Sequence, residues 1–321
     1  MPLTKMLLAT DSSPEAAKAA RMAITLSRDL GSELHVLCMG QVPSAYAPAE
    51  SEILDYEFWK EMREFAKSEA SERLEEEVQK IEAAGSKVEK PHVAVGRPDA
   101  EIVRLAEEIG AEMVVLGSRG LGPLRRVLLG SVSNSVVRHA HASVLVVRSN
   151  REGGSLPGRV LLALDGSKGA EAAERIAVEI SAATGSELHI LRVLEAEAYR
   201  PYPGPEYREG WEEDLERAKR HARAFVNENA RQIQADGVKG GEADLALGDA
   251  DREIVRFAED IHADLIVVGS RGLGGVRRAL IGSVSDSVVR HAHCPVMVVR
   301  QGSQREPVAQ QSTKTGQSAR L

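Results

Sequence analysis

Two stretches of this chain concentrate the residue types that capture anions. Residues 117–133 read GSRGLGPLRRVLLGSVS, and residues 269–285 read GSRGLGGVRRALIGSVS. In the first, Gly117 is followed after two residues by Gly120 and after nine more by Gly130-Ser131; in the second, Gly269, Gly272 and Gly282-Ser283 repeat that spacing. Glycine lets the backbone take φ > 0 and lets main-chain amides approach an anion with no side chain between them. Ser131-Val132-Ser133 and Ser283-Val284-Ser285 read as helix starts, whose first amides have no partner inside the helix. A phosphate placed there gains amide bonds, the positive end of the helix dipole and two hydroxyl donors. Arg119, Arg125 and Arg126, and in the other stretch Arg271, Arg277 and Arg278, put positive charge on the same loops. This chemistry favours a di- or triphosphate. The Arg125-Arg126 and Arg277-Arg278 pairs fit a solvated surface or a dimer contact equally well.

The elements that must position these loops are written twice. Residues 117–141 and 269–293 differ at five of 25 positions, and Gly31 to Leu37 is matched by Gly185 to Leu191. A period this long means tandem domains, not a solenoid of small repeats. The expected boundaries are 1–149 and 159–300, with a polar, Gly-rich linker at 150–158 and a tail at 301–321 that lacks apolar periodicity and reads as disordered. In the first copy, apolar runs predict strands at 5–9, 34–39, 88–95, 112–116 and 144–147. Helices are predicted from Pro14 to the cap at Gly31, and over 57–84, 98–109 and 131–139. Pro91 assigns the third strand to a sheet edge. The second copy predicts strands at 160–164, 188–193, 243–247, 264–268 and 296–299, with a helix to Thr184 and another over about 205–235.

Strands separated by helices imply right-handed crossovers and a parallel sheet covered on both faces. The fold class is therefore α/β: two tandem, doubly wound, five-stranded parallel-sheet sandwiches of Rossmann-like kind. The last strands, Val144–Arg148 and Val296–Arg300, are edge candidates and predict pairing of the two halves about a pseudo-two-fold axis. Ligands of such sheets collect beyond the carboxyl ends of the strands. Asp11 and Asp165 follow the first strand of each copy, and the glycine loops follow the fourth.

Composition narrows the function. Aromatic residues are 3% of the 321, which argues against stacking platforms for single-stranded nucleic acid. A formal net charge of −7 is opposite in sign to what a protein coating a polyanion needs. Cys38 and Cys294 occupy non-equivalent places and build no disulfide framework, and no run approaches a membrane span, so a cytoplasmic protein is expected. There is no GxxxxGK[ST], and no GxGxxG after the first strand. No nucleophile–base pattern or two-metal carboxylate cluster stands out, which leaves at most slow hydrolysis. His139-Ala140-His141 and His291-Ala292-His293 read as helix C-terminal complements to the dipole and not as metal ligands. His35 and His189 read as packed strand residues. The Tyr199–Tyr207 stretch, with its three prolines, fits a nucleotide cover or a rigid connector.

With these residues in place, both halves resemble the universal stress protein family, and the chain resembles its tandem-domain members. The resemblance rests on G-x2-G-x9-G-[ST], that family's ATP-binding signature, complete in both copies. It implies an adenine nucleotide α-hydrolase-like fold and one ATP per domain, with or without Mg²⁺. It implies that Asp11 and Asp165, in Ala9-Thr10-Asp11 and Ala163-Leu164-Asp165, serve the adenosine end, and that Met39 and Val193 lie near the base. By the same resemblance Gly117, Ser118, Arg119, Gly120, Gly130, Ser131, Val132 and Ser133 hold ribose and phosphates beside Leu116. Gly269, Ser270, Arg271, Gly272, Gly282, Ser283, Val284 and Ser285 do so beside Val268. It further implies a nucleotide-dependent stress-response regulator with an unknown protein partner, and homodimers; the absence of a long apolar run argues against a membrane partner and the acidic total against nucleic acid as a main one. One departure is visible: Gly96-Arg97-Pro98 becomes Gly248-Asp249-Ala250, an acidic residue that would weaken phosphate binding if it points inward. The alternative reading is a nucleotide-free scaffold acting through protein contacts, or a slow ATPase or phosphotransferase.

Overall fold

The computed structural model describes residues 3–40, 56–120, 129–148, 158–195, 211–272 and 281–301. Its first half runs β1 (Lys5–Thr10), α1 (Pro14–Leu30), β2 (Glu33–Gly40), α2 (Tyr56–Ala83), β3 (Val88–Val95), α3 (Pro98–Ile109), β4 (Met113–Gly117), α4 (Ser131–His139), β5 (Ser143–Val147). The second repeats it as β6 (Arg159–Ala163), α5 (Lys168–Thr184), β7 (Glu187–Glu195), α6 (Trp211–Ala235), β8 (Gly240–Gly248), α7 (Ala250–Asp260), β9 (Leu265–Gly269), α8 (Ser283–His291), β10 (Val296–Val299). The fold is α/β, as the alternation of apolar runs and helical patterns predicts.

Local chemistry sets the helix limits. Ser13 caps α1 by accepting from the Ala16 amide, Pro14 occupies the first turn, and Gly31 closes the helix at φ 66°. Ser167 and Gly185 (φ 71°) do the same for α5. Strand order is β3-β2-β1-β4-β5-β10-β9-β6-β7-β8. Within each half every pairing is parallel. β3 and β8 are outermost, and Pro91 on β3 has no amide to offer a further strand. The two sequence-predicted sandwiches share one sheet of ten strands. β5 and β10 pair antiparallel with Leu145 opposite Met297, so the halves are related about an axis through that pair. Antiparallel pairing puts the carboxyl end of one half's strands beside the amino end of the other's.

Both faces of the sheet are dry. Leu8, Val36, Val115, Leu162 and Val267 pack under α1, α2, α5 and α6. Leu7, Leu37, Val114, Leu161 and Ile266 pack under α3, α4, α7 and α8. The continuous apolar runs follow from this double cover. Among the described residues no helix is long and apolar enough to cross a membrane.

His35 is buried on β2, and its Nδ1 lies 3.0 Å from Nε2 of His92 on β3. Both rings are held below the ordinary imidazole range, chiefly by burial. Lys5, Lys90 and the neighbouring ring lower them further, against raising fields from Glu33, Glu89 and Glu108. Because the depressed values belong to the folded state, the pair's contribution is complete above the unfolded value of about 6.5 and is lost as pH falls below it. Thermal unfolding followed between pH 7.5 and 5 should show a loss of Tm on acidification that is smaller in His92→Gln. Equal slopes in the two proteins would contradict this.

Candidate functional site

The first strand of each half ends on an acid held in a turn. Asp11 Oδ1 accepts the Ser13 amide at 3.0 Å, and Asp165 Oδ1 accepts the Ser167 amide at 2.9 Å. The intervening residue is left-handed in both, Ser12 at φ 60° and Gly166 at φ 80°. The capping serines then reach sideways: the Ser167 hydroxyl donates to the Arg271 carbonyl at 3.2 Å, and that of Ser13 to the Arg119 carbonyl at the looser 3.5 Å. From sequence, Ser13 before Pro14 reads as a helix start, and Ser167 is not singled out. The Asp-x-Ser spacing shared by both copies was the available signal that each also fastens the glycine loop.

The glycine loops meet that turn with no room to spare. A Cβ on Gly117 would stand 2.8 Å from the main-chain carbon of Glu15, and one on Gly269 would stand 2.5 Å from that of Gly169. A Cβ on Gly120 would collide with the Asp11 carboxylate, and one on Gly272 would come 2.5 Å from Asp165 Oδ2. The expected use of positive φ is therefore corrected. None of these four, nor Gly130 (φ −68°) or Gly282 (φ −82°), has positive φ; at the four, and less tightly at Gly130, close approach is what calls for glycine. The inner rim is sewn to the loop by the Gly130 and Gly282 amides, which donate to the carbonyls of Ser118 at 2.8 Å and Ser270 at 2.7 Å.

Ser133 and Ser285 are buried, and their hydroxyls donate to the carbonyls of Ser118 (3.0 Å) and Gly269 (2.6 Å). Those hydroxyl protons hold the loop, so the expected second donor for a phosphate is corrected to a structural tie. Ser131 and Ser283 are exposed in the first turn, and no side chain caps either helix. Val132 and Val284 are half-buried, Ser118 and Ser270 buried, Arg119 and Arg271 exposed. Ala9 beside Leu116, and Ala163 beside Val268, are in register at the strand ends and form the floor. Met39 is buried on β2, its carbonyl accepting from Arg73 Nη2 at 3.4 Å; Val193 is half-buried on β7. Arg125, Arg126, Arg277, Arg278 and the Tyr199–Tyr207 stretch lie outside the described residues, as do most of the 150–158 linker and the tail from 302.

Asp249 pairs with Arg252 at 2.9 Å and is half exposed, directed at its own helix and not at the loop. His139 Nδ1 faces the Ser135 carbonyl at 2.8 Å, while the Ser135 hydroxyl lies 2.7 Å from Asp99. That hydroxyl bond is the first reason the Asp99 carboxyl sits below its usual range. The ring nitrogen bonded to a carbonyl is a donor, so it does not serve Ser135 as a base. Among the described residues no group of three His, Cys, Asp or Glu side chains stands ready for a metal ion.

The universal stress protein family model matches residues 2–148 and again 157–300. A universal stress protein of Mycolicibacterium smegmatis is 36% identical over 200 residues, 59% of this chain and 62% of its own. One from Mycobacterium tuberculosis (strain H37Rv) is 33% identical over 214 residues, 66% of this chain and 69% of its own. The match thus spans about three fifths of the Mycolicibacterium relative's length. The crystal structure of a universal stress protein from Archaeoglobus fulgidus superposes with a TM-score of 0.65 at 30% identity, covering 93% of this chain and 97% of that one.

The glycines should separate by what a methyl group meets. Gly269→Ala should cost about 1–3 kcal/mol in urea unfolding, because main chain must move. A Cβ on Gly282 would find nothing closer than 3.6 Å, so Gly282→Ala should stay within about 0.5 kcal/mol of the parent. A reversed ranking would refute the close-approach account.

Proposed function

This chain belongs to the universal stress protein family, in tandem, and we propose that each half binds one adenine nucleotide, ATP by preference, and acts as a nucleotide-dependent regulator. The observation that carries the reading is the glycine at position 282. Its φ is one that any residue adopts, and a Cβ there would meet only ordinary contacts, 3.6 Å or longer, among the atoms of its own chain. The glycine nonetheless occupies the same place in both halves, at the mouth of a helix whose first amides no side chain caps. At Gly130 a Cβ would already come 3.2 Å from the Ser118 carbonyl oxygen, so it is at Gly282 that a glycine which the chain's own atoms do not require fits an outside group coming close to the main chain.

The residues around that point suit a nucleoside polyphosphate. The amides following Gly130 and Gly282 and the exposed hydroxyls of Ser131 and Ser283 would hold terminal phosphates, with Arg119 and Arg271 supplying charge. Gly117, Gly120, Gly269 and Gly272 would take the inner phosphates and ribose. Asp11 and Asp165, each with one oxygen fixed by a backbone amide, would accept from ribose hydroxyls. The backbone at Met39 and Val193 would meet the base, over the floor of Ala9, Leu116, Ala163 and Val268. The residues at 1–149 and 159–300 act, in this reading, as two binding domains. ATP bound to the folded state alone stabilises it by mass action, which couples occupancy to what a protein partner sees.

Titration of the purified protein with ATP, by calorimetry and by chromatography of nucleotide released on denaturation, should give two molecules per chain. Gly282→Val should remove one of the two and leave the other unchanged. A protein that carries no nucleotide and takes none up would replace this reading with the nucleotide-free scaffold.

A further inference from the structure

Arg148 and Arg300 follow the last strand of each half, and both side chains leave their own half. Arg148 Nη1 donates to the carbonyls of Arg290 at 3.0 Å and Ala292 at 2.9 Å, and its Nη2 donates to Val289. These carbonyls end α8, in the second half. Arg300 Nη2 donates to the Val137 carbonyl near the end of α4, in the first half, and its amide donates to Ser143 Oγ at 3.2 Å. Both residues are only 9% exposed, and among the described residues neither has a carboxylate within ion-pair distance. Burial lowers both pKa values, that of Arg300 to about 10, and a guanidinium keeps its charge at neutral pH. What these buried cations face is the negative end of a helix.

The two helices are those that open on the candidate sites. α8 starts at Gly282-Ser283 in the second site, and its far end is held by Arg148. Arg148 in turn directly follows Val147, whose carbonyl accepts from Ser118 in the first site's loop at 2.8 Å. The mirror arrangement runs from α4 through Arg300 to Val299, whose carbonyl accepts from Ser270 at 2.8 Å. The helices are also tied to each other: Arg138 reaches Asp286 at 3.0 Å, and Arg290 reaches Asn134 at 2.8 Å. At nine residues each, neither helix is long enough to be stable by itself. Its direction and the order of its first turn must come from what grips it.

We propose that Arg148 and Arg300 are positioning residues that act across the axis, each ordering the phosphate-facing helix of the site in the half to which it does not belong. The proposal rests on the nucleotide reading above for its ligand and on the cross-axis hydrogen bonds for its geometry. Without the grip on its last carbonyls, a short helix loses part of its preorganisation, and a ligand bound at its first turn must supply the ordering.

The two sites can be separated by blocking one at a time. Gly130→Val leaves the second site to be titrated with ATP, and Gly282→Val leaves the first. Adding Arg148→Met should weaken ATP binding about fivefold in the Gly130→Val protein. In the Gly282→Val protein it should change binding less than about twofold, although Arg148 adjoins that surviving site. Arg300→Met should show the opposite pattern, and Arg148→Lys should recover part of the loss. Equal losses in both backgrounds, or a loss confined to the adjacent site, would overturn the proposal.

Amide hydrogen exchange without nucleotide gives a second reading that does not depend on ATP. In Arg148→Lys, exchange at the hydrogen-bonded amides of residues 286–289 should speed up while residues 134–137 keep the parent rate, and unchanged rates at 286–289 would also overturn the proposal. Absence of ATP binding in the parent protein, with that exchange pattern present, would sink the nucleotide reading and leave the cross-axis grip standing.

Discussion

At the ends of β4 and β9 the main chain lies against the first turn of α1 and of α5, with no space between them for a methyl group. The Gly117 and Gly269 contacts with the backbone of Glu15 and Gly169 set the distance between the turn carrying the acid and the loop carrying the glycines. Everything at the mouth of each half is arranged from that distance. Asp11 and Asp165 come against Gly120 and Gly272, and the capping serines reach the carbonyls of Arg119 and Arg271. These are short backbone and side-chain ties of about 1 kcal/mol each. Their weight lies in number, since the same loop also bonds the β5 or β10 carbonyl and the cap of the next helix.

The second constraint is the antiparallel seam. A parallel continuation at β5 would have put all ten strand ends on one side. The antiparallel pairing turns the second half end for end while keeping its faces, so the two glycine loops lie at opposite edges of the sheet. The start of each of α4 and α8 then lies at one edge and its end at the other. Arg148 and Arg300, without a carboxylate partner among the described residues, lie in a dry interior against carbonyls at a helix end, three for Arg148 and one for Arg300. The seam is not perfectly symmetric. Position 134 is Asn and its counterpart 286 is Asp, so one carboxylate receives Arg138 and Arg290 together, and Arg290 also takes the Asn134 oxygen.

Much of this was legible before any coordinates. Strand sequence, helix caps at Ser13 and Gly31, the edge position of the strand with Pro91, and pairing through the last strands all follow from patterns of two or three neighbouring residues. What was not legible depended on contacts distant in sequence. Nothing in Gly120 reveals that an aspartate carboxylate 109 positions earlier takes the space of its side chain. Positive φ and close approach to an anion are the reasons a sequence offers for glycine in such a loop, and neither points to crowding by the chain's own atoms. Arg148 reads as a polar strand terminus, because its partners are carbonyls more than 140 residues away. The stripe on α2 was also faint. Its buried side is Ala66, Ala70, Leu74, Glu77 and Ile81, only two large aliphatics among small residues and one acid.

The places where the two copies diverge argue that each half is fitted to its own packing and is not a bare duplicate. Cys38 and Arg73 in the first half correspond in register to Arg192 and Phe225 in the second. In the first, burial pushes the Cys38 thiol up, against a lowering field from Arg73, whose guanidinium reaches the Met39 carbonyl at 3.4 Å from α2. In the second, the guanidinium comes from the strand and lies over the Phe225 ring, 4.7 Å from its centre. A guanidinium therefore stands in the seam between the second strand and the following helix in both halves, although the backbone that carries it has changed. An apolar pair would fill that seam without the cost of a partly buried charge, which a ring face or a single carbonyl offsets only in part. The exchange kept the charge and moved its stem, so the requirement lies in where the cation stands, towards the carboxyl end of the second strand, and not in which element supplies it.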